Sequence, residues 1–303
     1  MNKIIYTLVV VLLMTISGCS ILSKPEAASE TPTSTEANSI ATALPVPRPT
    51  ESATILVSPE PTLNRDEKET YIKLLLKDNN GCDLPCWWGI EPGKTTWPSV
   101  EAMLSHLGVK WQEGISEGKF GYGTGGLGLE SIGTSTSVDF SVKQELVEDI
   151  TISAFGNSHP QEFQQVWEYY SSDKILLKYG KPSRIQLYVS TYGENNNAGY
   201  GYWLYYDNLG FLIVYGGVIK KEKYFHICPN FNDNQISELQ IYLKSPNNGS
   251  PLEAVVGNKG MQLIGPLLKN FEDVTGKSVE EYYNEFLADR KNICFDTSAE
   301  LWP

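Results

Sequence analysis

The sequence predicts an α+β fold, a mainly antiparallel sheet with helices packed on one face. Three observations carry this expectation: capped helix-period stripes, period-two runs between them, and no regular βαβ alternation linking the two. Hydrophobic residues make up 41% of the 303, which excludes a wholly disordered chain.

Taken in order, Asn64 is placed to cap a helix over about 66–77, with Tyr71, Leu74 and Leu75 as its inner stripe. Asp78-Asn79-Asn80-Gly81 stops it. Thr95 or Thr96 caps a second helix with Pro98 in its first turn, running through Val100, Met103, Leu104 and Leu107 to Gly108. Pro160 opens a third, which pauses at Ser171-Ser172 and continues over 173–179 to Gly180. Ser278 and Glu281 form a capping-box pair for a last helix carrying Tyr282, Phe286 and Leu287.

Strand patterns fill the gaps. Val138-Phe140-Val142 alternates and leads through Lys143-Gln144-Glu145 into a run over 146–155. Further strands are expected over 184–191 and 236–243, and a hairpin joins 200–206 to 211–218 through Asp207-Asn208-Leu209-Gly210. A faint internal echo runs through this order. A helix ending in Leu107-Gly108 leads to a strand over 147–152, and a helix ending in Tyr179-Gly180 leads to one over 236–241. Either any α+β chain shows such echoes, or two tandem helix-then-hairpin units, about 82–158 and 159–245, build a continuous sheet followed by a C-terminal helical region.

The start of the chain is different. Lys3 precedes a 13-residue apolar run over 4–16, too short for the roughly 20 apolar residues of a membrane-crossing helix. A charged start, a short apolar middle and small residues at the end read as a secretory signal over 1–18. Ile16-Ser17-Gly18-Cys19 resembles the bacterial lipobox, which implies that Cys19 is the lipid attachment site and the first residue after cleavage. Two or three acyl chains on that residue would anchor stably where one would not.

From 20 to 64 there is no glycine, aromatic or cysteine, and Pro, Ser, Thr and Ala fill 27 of 45 positions. Such a segment cannot bury enough apolar surface to offset its ordering entropy. The stretch 19–64 is therefore expected to be a disordered, lipid-anchored tether that holds a globular domain, 65–303, off a cell or outer membrane on its extracytoplasmic side. That domain carries 31 acidic against 21 basic side chains. The balance argues against nucleic acid as a partner and leaves the membrane, through the anchor, and a protein, peptide or carbohydrate ligand.

Besides Cys19 the chain has Cys82, Cys86, Cys228 and Cys294, an even count that in an exported protein suggests disulfides with three possible pairings. Local pairing of Cys82 with Cys86 would leave Cys228 for Cys294, a bridge worth about 4 kcal/mol by chain entropy against about 2 for the small loop. Two sharper readings compete. A Cys-x-x-x-Cys redox pair has one residue too many between its sulfurs, and a zinc site finds no familiar ligand spacing. No cofactor and no metal is assigned.

Other patterns look chemical without their required context. Gly121-Tyr122-Gly123-Thr124-Gly125-Gly126 fits G-x-G-x-x-G but lacks a βαβ setting, so a flexible glycine loop is expected. Gly114-Ile115-Ser116-Glu117-Gly118 fits G-x-S-x-G but is followed by too much glycine for the helix of a nucleophile elbow, although His159 and His226 come later. Asn230-x-Asn232-x-Asn234 lacks the glycine and the bidentate acid of a calcium loop. Glu280-Glu281 belongs to a solvated helix face.

The run Cys82-Asp83-Leu84-Pro85-Cys86-Trp87-Trp88-Gly89-Ile90, continuing through Pro92-Gly93-Lys94-Thr95, resembles an uncharacterised family of predicted bacterial lipoproteins with the pattern C-x-L-P-C-W-W-G-I-x-P-G-x-T. That resemblance implies no activity. Pro92-Gly93-x-Thr95 followed by a helix and Leu107-Gly108 is similar to small lipoproteins of the BamE type and to β-lactamase-inhibitor domains, which implies a two-layer α+β binding module.

Trp87 and Trp88 read either as a wedge under the sheet or as an exposed platform for a sugar or a partner. Tyr200, Tyr202 and Tyr206 share one strand face, and Trp203 and Tyr205 the other, so one face should be core and the other a ligand-facing stripe. Trp87, Trp88, Tyr200 and Tyr202 are accordingly the candidate ligand-binding residues, with no catalytic residue assigned. The expected function is a surface lipoprotein with a non-catalytic binding domain. The alternatives are an exported hydrolase acting on a glycan or peptide, and a structural component of an envelope assembly.

Overall fold

The computed structural model describes residues 62–303, apart from 117–118, 128, 130–133, 157–159, 192–195, 232–234, 258–260, 263 and 291–292. The signal segment, Cys19 and almost all of the tether lie outside the described residues, as do His159 and Asn232. No helix among the described residues is long and apolar enough to cross a membrane.

The fold is α+β on a mainly antiparallel sheet. Nine strands form it: β1 (Trp111–Ser116), β2 (Lys119–Thr124), β3 (Thr134–Lys143), β4 (Leu146–Gly156), β5 (Arg184–Ser190), β6 (Asn197–Tyr206), β7 (Phe211–Lys220), β9 (Ile236–Lys244) and the two-residue β10 (Lys269–Asn270). Their order is β1-β2-β3-β4-β9-β7-β6-β5-β10. From a seam where β4 pairs with β9, β4 to β1 run outward on one side and β9, β7, β6, β5 and β10 on the other. A small separate ribbon pairs β8 (Tyr224–Ile227) with β11 (Phe295–Ser298).

The helices form where caps and stripes coincide. In α1 (Arg65–Asp78), Asn64 and Glu67 close a capping box, and in α7 (Val279–Ala288) Ser278 and Glu281 do the same. α2 (Trp97–His106) begins after Thr96 with Pro98 in its first turn. Ser171 divides α3 (Pro160–Val166) and a 3-10 turn (Glu168–Tyr170) from α4 (Ser172–Tyr179), which Gly180 ends with φ 77°. The short α5 (Glu253–Val256) and α6 (Phe271–Thr275) lie in the C-terminal region.

Helix stripes and inward sheet residues share one large core, from Leu76 of α1 and Leu104 of α2 to Leu176 of α4, Phe286 of α7, Ile152 of β4 and Ile241 of β9. The inner stripe of α1 differs from expectation. Ile72, Leu75 and Leu76 are buried, while Tyr71 and Leu74 are 41% and 57% exposed. The helix is rotated so that its Ile72-Leu76 edge meets the core. Leu287 of α7 is likewise exposed, leaving Tyr282 and Phe286 to make the contact.

Of the run 121–126 expected to be a flexible glycine loop, 121–124 is strand: it belongs to β2, which pairs with β1 in a hairpin, in register from Trp111 opposite Thr124 to Ser116 opposite Lys119. Gly121 serves close approach: a Cβ there would sit 2.0 Å from the Phe140 carbonyl oxygen of β3. The first half of the sheet is the two hairpins β1–β2 and β3–β4, whereas in the second β5, β6 and β7 pair in sequence and β9 joins β7 only after β8 has left for the separate ribbon.

Candidate functional site

The sheet has two faces, and they are treated differently along its width. Residues paired across the strands form one continuous row on the outer face: Gln112, Gly123, Asp139, Thr151, Tyr242, Leu212, Tyr205 and Arg184. In the second half Trp203, Tyr205, Leu212, Val214 and Tyr242 form an apolar patch on this face, and the segment carrying Leu252, Val255, Val256, Met261, Ile264 and Leu268 packs on it. In the first half the row turns polar and is left open. A groove of about 1040 Å³ lies there, floored by β1–β4 and walled by α5.

The floor is low because Gly121 and Gly123 bring no side chains to it, and the carboxylate of Asp139 lies over Gly123, 2.6 Å from where a Cβ would stand. Partial desolvation raises the Asp139 carboxyl above its ordinary value. Ser141 and Thr151 add hydroxyls, and Tyr242 closes the floor towards the covered half. The Tyr242 hydroxyl donates to Gln240, whose amide donates to Glu238. Burial raises both Tyr242 and Glu238.

The wall is fixed from both halves. Lys119 Nζ of β2 lies 2.5 Å from Asp149 Oδ2, whose side chain is almost fully buried, and 3.4 Å from the Ala254 carbonyl of α5. From the second half Arg184 stacks on Tyr205 with its guanidinium carbon 3.5 Å from the ring centroid, and pairs with Glu253 at 2.6 Å and with Asp207 at 3.2 Å. The groove thus presents a carboxyl group, hydroxyls and an amide within a rigid frame, an arrangement suited to hydrogen-bonding a polar ligand.

The residues expected from sequence to touch a ligand lie elsewhere. Trp87 and Trp88 stack on each other, ring centroids 3.8 Å apart, and are 0% and 3% exposed. Their platform reading is corrected to the wedge. Tyr200 and Tyr202 are 1% and 0% exposed within the main core, with the Tyr202 hydroxyl 3.1 Å from that of Tyr282. Trp203 and Tyr205, on the opposite face, are buried too, because the segment following Leu252 covers them. Both faces of β6 are core, and no aromatic stripe is left for a ligand.

The loop around Trp87 is organised from beneath by Asn79, itself fully buried with φ 55°. Its Nδ2 donates to the carbonyls of Cys82 and Cys86, both at 2.8 Å, and its Oδ1 accepts from Trp88 N and from the Tyr170 hydroxyl, both at 3.0 Å. The most distinctive run of the sequence is therefore an architectural plug.

Cys82 is bonded to Cys86 and Cys228 to Cys294. His226, Cys228 and Cys294 gather within 4.8 Å, but both sulfurs are spent in the disulfide and neither is a thiolate ligand. Ser116 of the G-x-S-x-G run ends β1 and pairs with Lys119 of β2, so a hairpin stands where a nucleophile elbow needs a helix.

The groove residues were missed because they are polar residues of ordinary strands. Their signal was the alternation Thr134 to Ser141, in which Ser135, Ser137, Asp139 and Ser141 all fall on one face. Fold and groove together define a class, an antiparallel-sheet α+β module with one half-face open. No family model matches the chain, and no match to a curated protein or to a solved structure was found.

Proposed function

We propose that the protein is a lipid-anchored, extracytoplasmic binding protein that takes a polar ligand, a saccharide or a short peptide, in the groove over β1–β4. One observation carries the reading. The same sheet face is sealed by the segment after Leu252 in one half and left open over glycines, hydroxyls and Asp139 in the other. The lipobox-like Ile16-Ser17-Gly18-Cys19 and the Pro/Ser/Thr/Ala-rich stretch behind it support anchoring and display.

The test is a thermal-shift screen of the full chain against saccharides and peptides, repeated with Thr151→Trp, which fills the groove floor. A shift of several degrees with one class, lost in the variant, is the expected result. A shift that survives the substitution places the ligand elsewhere. Anchoring is tested separately, since Cys19→Ala should move the protein from the membrane fraction to the soluble one. The raised carboxyl of Asp139 favours a second reading, hydrolysis with Asp139 as the acid. Turnover of a screened glycan or peptide, abolished by Asp139→Asn, would establish it.

A further inference from the structure

The ribbon of β8 and β11 carries an arrangement that neither the groove nor the bracing role of its disulfide requires. His226 and Asp296 are direct partners across the ribbon. Two residues further, just past the last pair of the ribbon, Ile227–Phe295, Cys228 is bonded to Cys294, so alternation puts the disulfide and the His–Asp pair on one face. The imidazole lies between a carboxylate and a sulfur, with Nδ1 2.8 Å from Asp296 Oδ1 and Nε2 3.3 Å from Cys228 Sγ. His226 and Asp296 are well exposed, Cys294 is partly exposed, and Cys228 is only 4% exposed.

We propose that Cys228–Cys294 is a thiol–disulfide exchange centre that reacts with dithiols, with Cys294 the sulfur attacked and Cys228 the sulfur that leaves. The two sulfurs are unequal in the two respects that govern exchange, access for the attacking thiolate and stabilisation of the departing one. Cys294 has the access. Cys228 has the imidazole, which in its doubly protonated form donates Nδ1–H to Asp296 and Nε2–H to the departing sulfur.

The step balances as follows. One thiolate of the dithiol forms a bond to Cys294 Sγ, the Cys228–Cys294 bond breaks, and its electron pair goes to Cys228 Sγ, which takes the Nε2 proton. The proton shed by the attacking thiol restores the imidazolium through solvent. The second thiol of the reagent then displaces Cys294, whose thiolate takes up that thiol's proton. Two electrons and two protons have passed to the protein, and the reagent leaves as its own disulfide. Opening frees the link between the end of β8 and the entry to β11, the strand that leads to Trp302, buried against Thr297.

The second disulfide is an internal control. The donor at Cys82 Sγ is the Gly89 backbone N–H at 3.4 Å, a neutral group, in place of an imidazole. The full chain would be treated with dithiothreitol, and each pair followed by differential alkylation and mass spectrometry. Cys228–Cys294 should open at least tenfold faster than Cys82–Cys86, and His226→Phe or Asp296→Asn should slow it severalfold without changing the Cys82–Cys86 rate. Trapping wild-type protein with glutathione should place the mixed disulfide on Cys294, a readout that needs no variant to fold. Equal rates for the two pairs, an unchanged rate in His226→Phe, or an adduct on Cys228 would overturn the proposal.

Discussion

Ile152 of β4 stands directly opposite Ile241 of β9 on the seam of the sheet, and both are fully buried. When the strand over 147–152 is matched to that over 236–241, these two residues correspond, so the pair is its own counterpart when the halves are exchanged. Moving outward the correspondence persists. Val138 faces Ile152 as Ile213 faces Ile241, and Gly121-Tyr122 occupies on β2 the station that Gly201-Tyr202 occupies on β6.

The seam is where both halves meet the helices, so a cavity there is felt by each. Ile152→Ala and Ile241→Ala should each cost about 2–5 kcal/mol, read from the urea midpoint at constant m-value. Because the residues are cross-strand partners, the double variant should depart from additivity by about 0.5–3 kcal/mol. Strict additivity would show that the two halves are stabilised independently.

Asn79 makes four hydrogen bonds, three to the Cys82–Trp88 loop and one with Tyr170, and it does so from a left-handed backbone conformation. Asn79→Gly keeps that backbone accessible while removing the side chain, so its loss measures the hydrogen bonds with little strain. With buried donors and acceptors left unpaired the cost should be about 3 kcal/mol or more. For a domain of this size that corresponds to a fall in Tm of roughly 6–12 °C. A fall of under 2 °C would mean that water replaces the amide.

Capping boxes, helix stops and period-two runs were legible in the sequence because each is a local contest between backbone and side chain, as at Ser278-Glu281 and Gly180. The β1–β2 hairpin was not, since Gly121 and Gly123 answer to the neighbouring β3 rather than to their own backbone. The burial of Trp203 and Tyr205 was equally hidden, because it depends on a segment some fifty residues later in the chain. Asp139 looked ordinary for the same reason: its environment is assembled from β2, β4 and α5.

Two glycines of the β1–β2 hairpin should respond with opposite signs. A Cβ at Gly121 meets the Phe140 carbonyl oxygen at 2.0 Å, whereas one at Gly114 meets nothing within 4 Å. Gly121→Ala should therefore destabilise by about 1–3 kcal/mol as the strands are forced apart. Gly114→Ala should stabilise by about 0.5–1 kcal/mol by restricting the unfolded chain. Chemical denaturation of the two variants side by side checks this, and equal effects would return the stretch to a loop.

Asp139 and Asp207 should titrate stability in opposite directions. Burial pushes Asp207 up, but hydrogen bonds from Arg184 and Ser183 outweigh it and hold the carboxyl below its usual value of 3.8. Its folded form thus binds protons less readily than the unfolded form. The stability it contributes is present above the unfolded value and is lost as pH falls through the folded one. Asp139 is raised by desolvation. The folded state then holds its proton more tightly, so stability falls as pH rises through the window above 3.8, and the penalty is complete at neutral pH. Asp207→Asn should destabilise at pH 7 and lose that effect progressively as pH falls below 3.8, while Asp139→Asn should stabilise at pH 7 and make no difference in acid. Denaturant midpoints of the three proteins between pH 2.5 and 7 measure both. A destabilised Asp139→Asn at pH 7 would show that the carboxylate has a partner in the groove, and that its cost to the fold is not the mark of a site kept for a ligand.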